Sequence, residues 1–271
     1  MRNIDGKDRY FLQSLSKGLA LLSVMAKEGH PMALSELSNA LSINKTTVTR
    51  LSHTLEKLGY VHRDKNKHFC LSPKVLTLGY GVVSGLDWLE VARYYLKKLF
   101  EEVNECVNLS VLDGGEILYL VRIRREGYLP FDIRVGTKLP VHCTAMGKIF
   151  MAMGQKEVVQ PVLDKLVLAP VSEFTITDKG KFMLCLEDVL RKGYAVNVQE
   201  LAISNIAIAA PVLDRRGNAN IAINIAVPMK RYHTEEDVTS KFLKPLLHCA
   251  DQISQALNKM ETPFTHYGNG Y

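Results

Sequence analysis

The chain has 271 residues, a net charge of +6 and 47% hydrophobic residues, which is enough for two domains with separate cores. No apolar run reaches the roughly 18 residues of a membrane span, and the first ten residues, MRNIDGKDRY, lack the apolar segment of a secretion signal. The five cysteines are scattered without CxxC spacing, which favours reduced thiols in a cytoplasmic protein and disfavours a zinc framework.

The positive charge is concentrated near the N-terminus. Residues 1–88 contain 12 Lys and Arg against 7 Asp and Glu, which leaves 22 against 21 for residues 89–271. The excess is therefore +5 in the first third and +1 in the rest. A basic first third beside a nearly neutral remainder predicts one domain that contacts nucleic acid and one that does not.

After a polar arm at residues 1–10, residues 14–27 predict a helix that should support the elements after it. Its apolar residues recur at helical spacing. We expect the inward-facing residues to be Leu15, Leu19, Leu22, Met25 and Ala26. Gly29, His30 and Pro31 end this helix.

Residues 34–60 are typical of two short amphipathic helices separated by a tight turn at residues 42–44. In the first helix Ser35 is a candidate N-cap, and the inward residues are Leu34, Leu37, Ala40 and Leu41. The second helix starts at about Lys45 and ends at Gly59, where a left-handed residue is expected. Its predicted buried face comprises Val48, Leu51, Leu55 and Leu58.

The exposed face of the second helix carries short hydrogen-bonding groups and two cations, with no acid before Glu56. Its residues are Asn44, Lys45, Thr46, Thr47, Thr49, Arg50 and His53. Such a face suits a phosphate-lined groove, because small polar tips reach base edges and no carboxylate repels the backbone. We expect Thr46, Thr47 and Arg50 to face base edges. A solvated helix in an ordinary helical hairpin is the competing interpretation.

Two strand-like runs, residues 60–63 and 68–71, flank a charged tip at residues 64–67. A β-hairpin directly after a helix-turn-helix predicts a winged helix-turn-helix, whose second helix enters the major groove while the wing contacts flanking phosphates. The residues expected to hold phosphates of double-stranded DNA are Lys45, Arg63, Lys65 and Lys67. The alternatives are a plain solvated hairpin and a first domain that binds protein rather than DNA.

We predict a DNA-binding domain at residues 1–72, a linker helix at 73–88, an effector-binding domain at 89–262 and a flexible tail at 263–271. The second domain should begin with a long helix, and helices should also cover 145–153, 178–192 and 234–260, the last kinked or restarted at Pro245. Strands are expected at 106–112, 117–123, 132–135, 194–198, 206–213 and 220–227. This order predicts an α+β protein whose sensor domain has a central, largely antiparallel sheet.

Six stretches of the chain together resemble the IclR family of transcriptional regulators over nearly the whole length. They are residues 14–22, 44–59, 71–75, 135–148, 191–194 and 222–227. The resemblance implies a winged helix, a GAF-like α/β effector domain, dimers that often pair as tetramers, and near-palindromic operators. Within the family, the segment VGTKLP and the extended segment at residues 8–14 look most like the branch that regulates aromatic-acid catabolism in response to protocatechuate or 4-hydroxybenzoate.

Residues 142–147 lead from a strand into a helix N-terminus, where free N–H groups and the positive helix end at Thr144 predict a carboxylate site. In relatives, the backbone at the positions that match Ala145 and Met146 holds the carboxylate of the effector. The resemblance further implies a site lined by Tyr128, Leu139, Asn197, Ala207, Asn224 and Ala226. Tyr128 or Phe131 would form a wall against a ring.

Two departures from the relatives shape the expected ligand. This chain has Ser204-Asn205-Ile206-Ala207 where relatives commonly have Gly-Leu-Arg-Ser, and relatives often carry small hydroxyl or thiol residues at Ala207 and Ala226. The less polar cavity favours an aromatic or otherwise bulkier carboxylic acid over glyoxylate or pyruvate. Two alternatives remain: regulation of small keto-acid metabolism, and a closed pocket in which both alanines are core residues.

An enzyme is the other class of function, because His142 and Cys143 suggest a thiol nucleophile. Adjacent residues on an extended segment point to opposite sides, so the imidazole cannot easily reach the neighbouring sulfur. A metal site formed by His142, Cys143 and Asp132 matches no zinc spacing. We therefore expect no catalytic residues, no metal and no cofactor, and a homodimer or homotetramer that controls a catabolic operon.

Overall fold

The structure is a computed structural model that describes residues 9–84, 86–125 and 133–260. The chain divides into two compact units between Leu86 and Asp87. Most of the predicted N-terminal arm and all of the predicted C-terminal tail lie outside the described residues. Among the helices described, none combines the length and the apolar character needed to cross a bilayer.

The first unit contains the predicted winged helix-turn-helix, followed by one more helix within the predicted linker segment. Its elements are α1 (Gln13–Glu28), α2 (Leu34–Leu41), α3 (Lys45–Lys57), β1 (Val61–Arg63), β2 (Phe69–Leu71) and α4 (Val75–Ser84). Strands β1 and β2 pair antiparallel, with Val61 opposite Leu71. The core comprises Leu21, Met25, Met32, Leu37, Leu41, Val48, Val61 and Phe69.

Local backbone conformation and capping separate the two helices of the motif. Ser42 ends α2 with a left-handed φ of 52°, and the side chain of Asn44 accepts the Thr47 N–H at 2.8 Å to start α3. Gly59 has a φ of +77°, as predicted, which lets the chain turn from α3 into the wing. The turn from α2 into α3 is therefore set by residues 42–44.

The predicted N-cap Ser35 is wrong. Helix α2 starts two residues earlier than a cap at Ser35 requires, at Leu34, and Ala33 occupies the N-cap position. Ala33 has no side-chain oxygen to cap the first turn, and the carboxylate of Glu36 instead accepts the N–H of Ala33 itself at 2.6 Å.

Several residues predicted to face inward are exposed instead. In α1, Leu15 and Leu19 are 60% and 54% exposed, and Ala26 is exposed as well, because the core lies against a neighbouring stripe that contains Leu21 and Met25. The same correction applies to two further positions, Ala40 of α2 and Leu58 after α3. Leu58 lies beyond the last residue of α3, so it leaves the stripe that Val48 begins. Helix α1 thus has two apolar stripes, and only one of them covers the core.

The second unit is an α+β domain built on one six-stranded sheet. Its elements are α5 (Asp87–Val103), β3 (Cys106–Asp113), β4 (Glu116–Ile123), β5 (Lys138–Pro140), α6 (Ala145–Met153), α7 (Lys156–Lys165), α8 (Lys179–Lys192), β6 (Ala195–Val198), β7 (Asn205–Leu213), β8 (Ala219–Pro228) and α9 (Glu235–Asn258). The strand order is β5-β4-β3-β8-β7-β6, and every neighbouring pair is antiparallel. The predicted central antiparallel sheet is confirmed.

The central strands are buried on both faces. Seven consecutive residues of β7 and seven of β3 are buried, which requires cover above and below the sheet. Helices α5 and α9 pack together and cover β3, β4, β7 and β8, while α6 packs on β6, β7 and β8 and against α8. The sheet therefore lies between a layer formed by α5 and α9 and a layer centred on α6.

Three predictions for this unit need correction. Asp132, in the predicted strand at 132–135, lies outside the described residues. Residues 133–135 are not a strand, because the chain turns at Gly136, which has a φ of +90°, and pairs only afterwards as β5. Helix α7 was not predicted, since Pro161 lies within it and weakened the helical pattern. Helix α9 was expected to be kinked or restarted at Pro245, and its continuation through this residue excludes the restart.

Candidate functional sites

The face of α3 that was predicted to meet DNA is mostly exposed. Lys45, Thr46, Thr49, Arg50 and His53 are exposed, and Thr47 is half-buried. Two groups on this surface are already engaged, because the side-chain oxygen of Asn44 caps the helix and the Thr49 hydroxyl donates to the Lys45 carbonyl at 2.8 Å. The remaining donors and both cations are available to a partner.

The wing presents two exposed lysines, Lys65 and Lys67, at its tip. The tip is shaped by Asp64, whose Oδ1 accepts the N–H groups of Asn66 and His68, each at 2.8 Å. Arg63 differs from the two lysines. Its guanidinium lies 3.3 Å from the Glu56 carboxylate and stacks on the Phe69 ring with the centroid 4.7 Å away. Contact between Arg63 and a phosphate would have to compete with these two interactions.

The second unit contains a cavity of about 40 Å³ between the sheet and the N-terminus of α6. Two rows of residues, in register across neighbouring strands, form its floor. One row runs Arg122, Asn108, Asn224 across β4, β3 and β8, and the other runs Cys106, Ala226, Ala207, Asn197 across β3, β8, β7 and β6. Tyr119, Ile133, Leu201 and Asn205 complete the lining, together with Cys143, Thr144 and Ala145 above.

The roof of the cavity is the first turn of α6. The Thr144 hydroxyl accepts the Gly147 N–H at 3.1 Å, and the Thr144 carbonyl accepts the Lys148 N–H at 3.0 Å. The N–H groups of Ala145 and Met146 have no acceptor within the helix, as in every first helical turn. The helix N-terminus therefore presents donors and partial positive charge close to the floor.

The structure brings together six of the ten residues that were predicted to bind the effector. Those on the cavity lining are Thr144, Ala145, Asn197, Ala207, Asn224 and Ala226. Leu139 and the side chain of Met146 instead pack in the hydrophobic core, where the Met146 sulfur accepts the Ser110 hydroxyl at 3.2 Å. Tyr128 and Phe131 lie outside the described residues.

Sequence reasoning missed the one cation on the described lining, Arg122. A signal was present, because Arg122, Asn108 and Asn224 interrupt otherwise apolar strands, where such residues are rarely buried without a role. Strand register was needed to show that the three belong to one row. Eight residues of the lining were not predicted, namely Cys106, Asn108, Tyr119, Arg122, Ile133, Cys143, Leu201 and Asn205.

Cys143 does not have the surroundings of a catalytic thiol. Its side chain is fully buried, and burial raises the pKa of the thiol to about 12. The ring of His142 is turned elsewhere, with Nε2 2.8 Å from the carbonyl oxygen of Ala169. A nucleophile needs a depressed pKa or an adjacent base. Among the described residues, no cluster of His, Cys, Asp and Glu could hold a metal ion.

A buried ion pair ties α6 to the loop after β6. Lys148 and Glu200 are 2% and 6% exposed, and Lys148 Nζ donates to Glu200 Oε1. Burial raises the pKa of Glu200, whereas the Lys148 ammonium opposes that rise. The Glu200 carbonyl also accepts the Thr175 hydroxyl at 2.7 Å, which attaches the loop to the segment before α8.

A winged helix-turn-helix joined to a domain whose mostly apolar cavity carries a few polar groups defines a class of protein, the DNA-binding regulator that carries its own small-molecule sensor. The family described as "IclR helix-turn-helix domain" matches residues 14–65, and "Bacterial transcriptional regulator IclR C-terminal" matches residues 80–255. The chain belongs to the IclR family. It is a ligand-responsive, DNA-binding transcriptional regulator, and its relatives are named as regulators rather than enzymes.

Three similar proteins illustrate the match. The chain is 30% identical to the "Pca regulon regulatory protein" of Pseudomonas putida, over 92% of this chain and 86% of that one. It is 28% identical to the "p-hydroxybenzoate hydroxylase transcriptional activator" of Acinetobacter baylyi, over 79% and 80%. The fold matches that of an IclR homolog of Microbacterium hydrocarbonoxydans complexed with 4-hydroxybenzoate, with a TM-score of 0.74, 22% identity and coverage of 91% and 100%.

The buried ion pair yields a stability prediction. Glu200→Ala leaves the Lys148 ammonium buried without its partner, so the free energy of unfolding of the second unit should fall by about 3–5 kcal/mol. Replacing both partners, Lys148→Met with Glu200→Leu, should recover most of that loss. Urea unfolding followed by fluorescence of Trp88, the single tryptophan, measures both effects.

A matched control is Asp188→Ala, which breaks exposed ion pairs to Arg191 and Lys192 on α8. Exposed pairs contribute little to stability, so this variant should unfold like the parent chain. If Glu200→Ala were no less stable than Asp188→Ala, the ion pair would not anchor the loop.

Proposed function

We propose that α3 lies in the major groove of double-stranded DNA, with Thr46, Thr47 and Arg50 facing base edges. Asn44, Thr49 and His53 belong to the same surface. Lys45, Lys65 and Lys67 would hold phosphates, and Arg63 would join them by exchanging Glu56 for a phosphate. The exposed, acid-free first turns of α3 support this assignment, as do the exposed cations Lys45 and Arg50 on the same surface. Because the DNA partner is bacterial, we infer that the protein acts in the cytoplasm.

Two substitutions separate base reading from phosphate binding. Arg50→Ala should weaken binding to the operator by about 1–3 kcal/mol and relax sequence preference, because a base-edge contact is lost. Lys65→Ala should weaken binding to all sequences equally and lower the salt slope, because a phosphate contact is lost. Fluorescence anisotropy on operator and scrambled DNA at several salt concentrations measures both. Unchanged operator affinity in Arg50→Ala would contradict the placement of α3.

We infer that the chain acts as a homodimer or a pair of dimers on a near-palindromic operator. Large apolar side chains of the first unit are exposed where the core does not use them. They are Leu12, Leu15, Leu19, Leu76, Leu78 and Tyr80 on or beside α1 and α4. An apolar surface of this kind marks a contact between proteins, and a two-fold dimer presents two recognition helices to two half-sites.

Self-association is tested with an exposed leucine. Leu76 is 75% exposed, so Leu76→Glu should leave folding intact but weaken binding to an operator with two half-sites by about tenfold or more, the effect of losing about 1.4 kcal/mol. Val167→Glu, at a residue that is 77% exposed in the other unit, is the matched control. Sedimentation velocity should show dimers or tetramers of the parent chain. A monomer that binds the full operator would exclude the dimer.

We propose that the effector is a small aromatic carboxylic acid bound in the cavity of the second unit. Ala207 and Ala226 give the floor an apolar strip that suits a ring, while Arg122, Asn224 and the first turn of α6 supply donors for an anion. One similar protein is named as the activator of p-hydroxybenzoate hydroxylase, and the structure of another contains 4-hydroxybenzoate. A small keto acid is the second candidate, since the cavity as described encloses only about 40 Å³.

The size of the cavity connects binding with a change of conformation. A cavity of about 150 Å³ holds a benzene ring in another protein, so we infer that the walls of this smaller cavity move apart around an aromatic acid. A ligand shifts a conformational equilibrium only through its different affinity for the two states. An acid that fits only the expanded form of the cavity would therefore shift the protein toward that conformation. We expect α4 to transmit the change to the DNA-binding unit.

A panel of acids tests the ligand class. We expect 4-hydroxybenzoate or protocatechuate to change the affinity of the purified protein for its own upstream DNA, whereas pyruvate and glyoxylate leave it unchanged. Fluorescence anisotropy at two salt concentrations measures the effect. Ala207→Ser with Ala226→Ser adds the hydroxyl groups common in relatives, and should weaken the response to the aromatic acids. A response of the parent chain to pyruvate alone would favour the keto-acid alternative.

A further inference from the structure

One floor row of the cavity is a chain of hydrogen bonds with a defined direction. Arg122 Nη1 donates to Asn108 Oδ1 at 3.4 Å, and Asn108 Nδ2 donates to Asn224 Oδ1 at 2.7 Å. A guanidinium can only donate, so it determines which end of the Asn108 amide it meets. Asn108 therefore donates with its amino group to the Oδ1 of Asn224. The Nδ2 amino group of Asn224 is not used within the row. The row therefore ends in a donor.

Arg122 lacks a counter-charge within the part of the chain that the structure describes. The Nε of Arg122 is buried and has no hydrogen-bond partner there. The hydrogen bond from Nη1 to Asn108 Oδ1 is long, at 3.4 Å. Glu105, the buried acid that precedes Cys106 in the chain, is occupied by Arg125 at 3.1 Å and Arg231 at 2.6 Å. The side chain of Arg122 is half-buried, and a cation removed in part from water and incompletely paired favours an anionic ligand.

The opposite end of the floor has the opposite polarity. Asn197, on β6, donates from Nδ2 to the carbonyl oxygen of Cys143 at 2.6 Å, so its Oδ1 is left as an acceptor beside the α6 N-terminus. A carboxylate placed there would meet the lone pairs of Oδ1. A hydroxyl group fits better, because it can donate to Asn197 Oδ1 and accept from the Ala145 N–H.

Strand order separates the two ends. Arg122 lies on β4 and Asn197 on β6, and β3, β8 and β7 lie between them. The apolar strip of Ala226 and Ala207 spans the middle of this distance. The floor thus presents, in order, a cation with amide donors, an apolar strip, and an acceptor next to helix N–H groups.

We propose that the effector is a hydroxy acid that lies across the sheet with its carboxylate on Arg122 and Asn224 and its hydroxyl group between Asn197 and the first turn of α6. This orientation is the reverse of the one that the family resemblance implied, in which the α6 N-terminus holds the carboxylate. Asn108 is a positioning residue that turns the Asn224 amino group toward the ligand. The inference rests on the proposed function, since it assumes that this cavity binds a carboxylic acid.

Isothermal titration calorimetry of the full chain with three probes tests the orientation. 4-Hydroxybenzoate carries both groups, 4-hydroxybenzamide replaces the carboxylate with a neutral amide, and benzoate lacks the hydroxyl. Arg122→Met should weaken 4-hydroxybenzoate about ten- to a hundredfold, the usual range for a hydrogen bond to a charged group, and change 4-hydroxybenzamide much less. Arg124→Met, an exposed arginine two residues further along, is the control that should change neither.

A second variant keeps the test valid if Arg122→Met does not fold. Asn108→Asp has nearly the same shape, but its carboxylate would pair with Arg122 and neutralise the charge offered to the ligand. It should also weaken the acid selectively over the amide, which a merely structural defect would not do. Loss of acid and amide binding to the same extent in both variants would overturn the orientation, as would undiminished acid binding in Arg122→Met.

The outcomes for the parent chain separate this inference from the proposed function. Binding of 4-hydroxybenzoate more tightly than of benzoate and of the amide supports the proposed ligand class, and a selective loss of acid binding in Arg122→Met supports the orientation as well. Binding that Arg122→Met leaves unchanged supports the proposed ligand class and overturns the orientation. Failure of the parent chain to bind any of the three probes overturns the aromatic-acid proposal and the orientation with it.

Discussion

The cavity of the second unit depends on the close packing of α6 against two neighbours, the segment that precedes the helix and the sheet below it. A Cβ on Gly147 would lie 2.1 Å from the Val141 carbonyl oxygen, so only glycine permits this approach. Lys148 then pairs with Glu200 inside the protein, and Asn197 holds the carbonyl of Cys143. These contacts place the first turn of α6 over β6 and β7. The cavity exists because the helix N-terminus is fixed there, with its donors directed at the floor.

The floor shows how one sheet serves both stability and recognition. Its central strands are buried on both faces, so a polar side chain among them must find a partner or cost free energy. Asn108 and Asn224 meet this demand by bonding to each other across neighbouring strands. Arg122 does so only in part, which makes it the site where a ligand can contribute most. Among the side chains of the two floor rows, the Nε of Arg122 is the buried polar atom that has no hydrogen-bond partner within the described residues.

Much of the fold could be predicted from local patterns. Helix α3 starts at Lys45 and α6 spans Ala145–Met153, as expected, because side-chain caps at Asn44 and Thr144 mark both starts. Periodicity failed to predict the buried residues of a helix that has two apolar stripes. In α1 it selected Leu15 and Leu19, which are exposed, because spacing shows that a face is apolar but not what that face contacts.

The sequence by itself determined the class of both units, helix α3, the hairpin after it and the strand-to-helix turn at Thr144, since caps, turn residues and charge act over a few neighbouring residues. Only the tertiary structure decided what those elements enclose. One example is the polar row of Arg122, Asn108 and Asn224. Asn108 and Asn224 are 116 positions apart in the chain, and only the register of the strands makes them hydrogen-bonded neighbours beside Arg122. A shift of register by one residue would send each of these side chains to the opposite face, and no local pattern in the chain reports that choice.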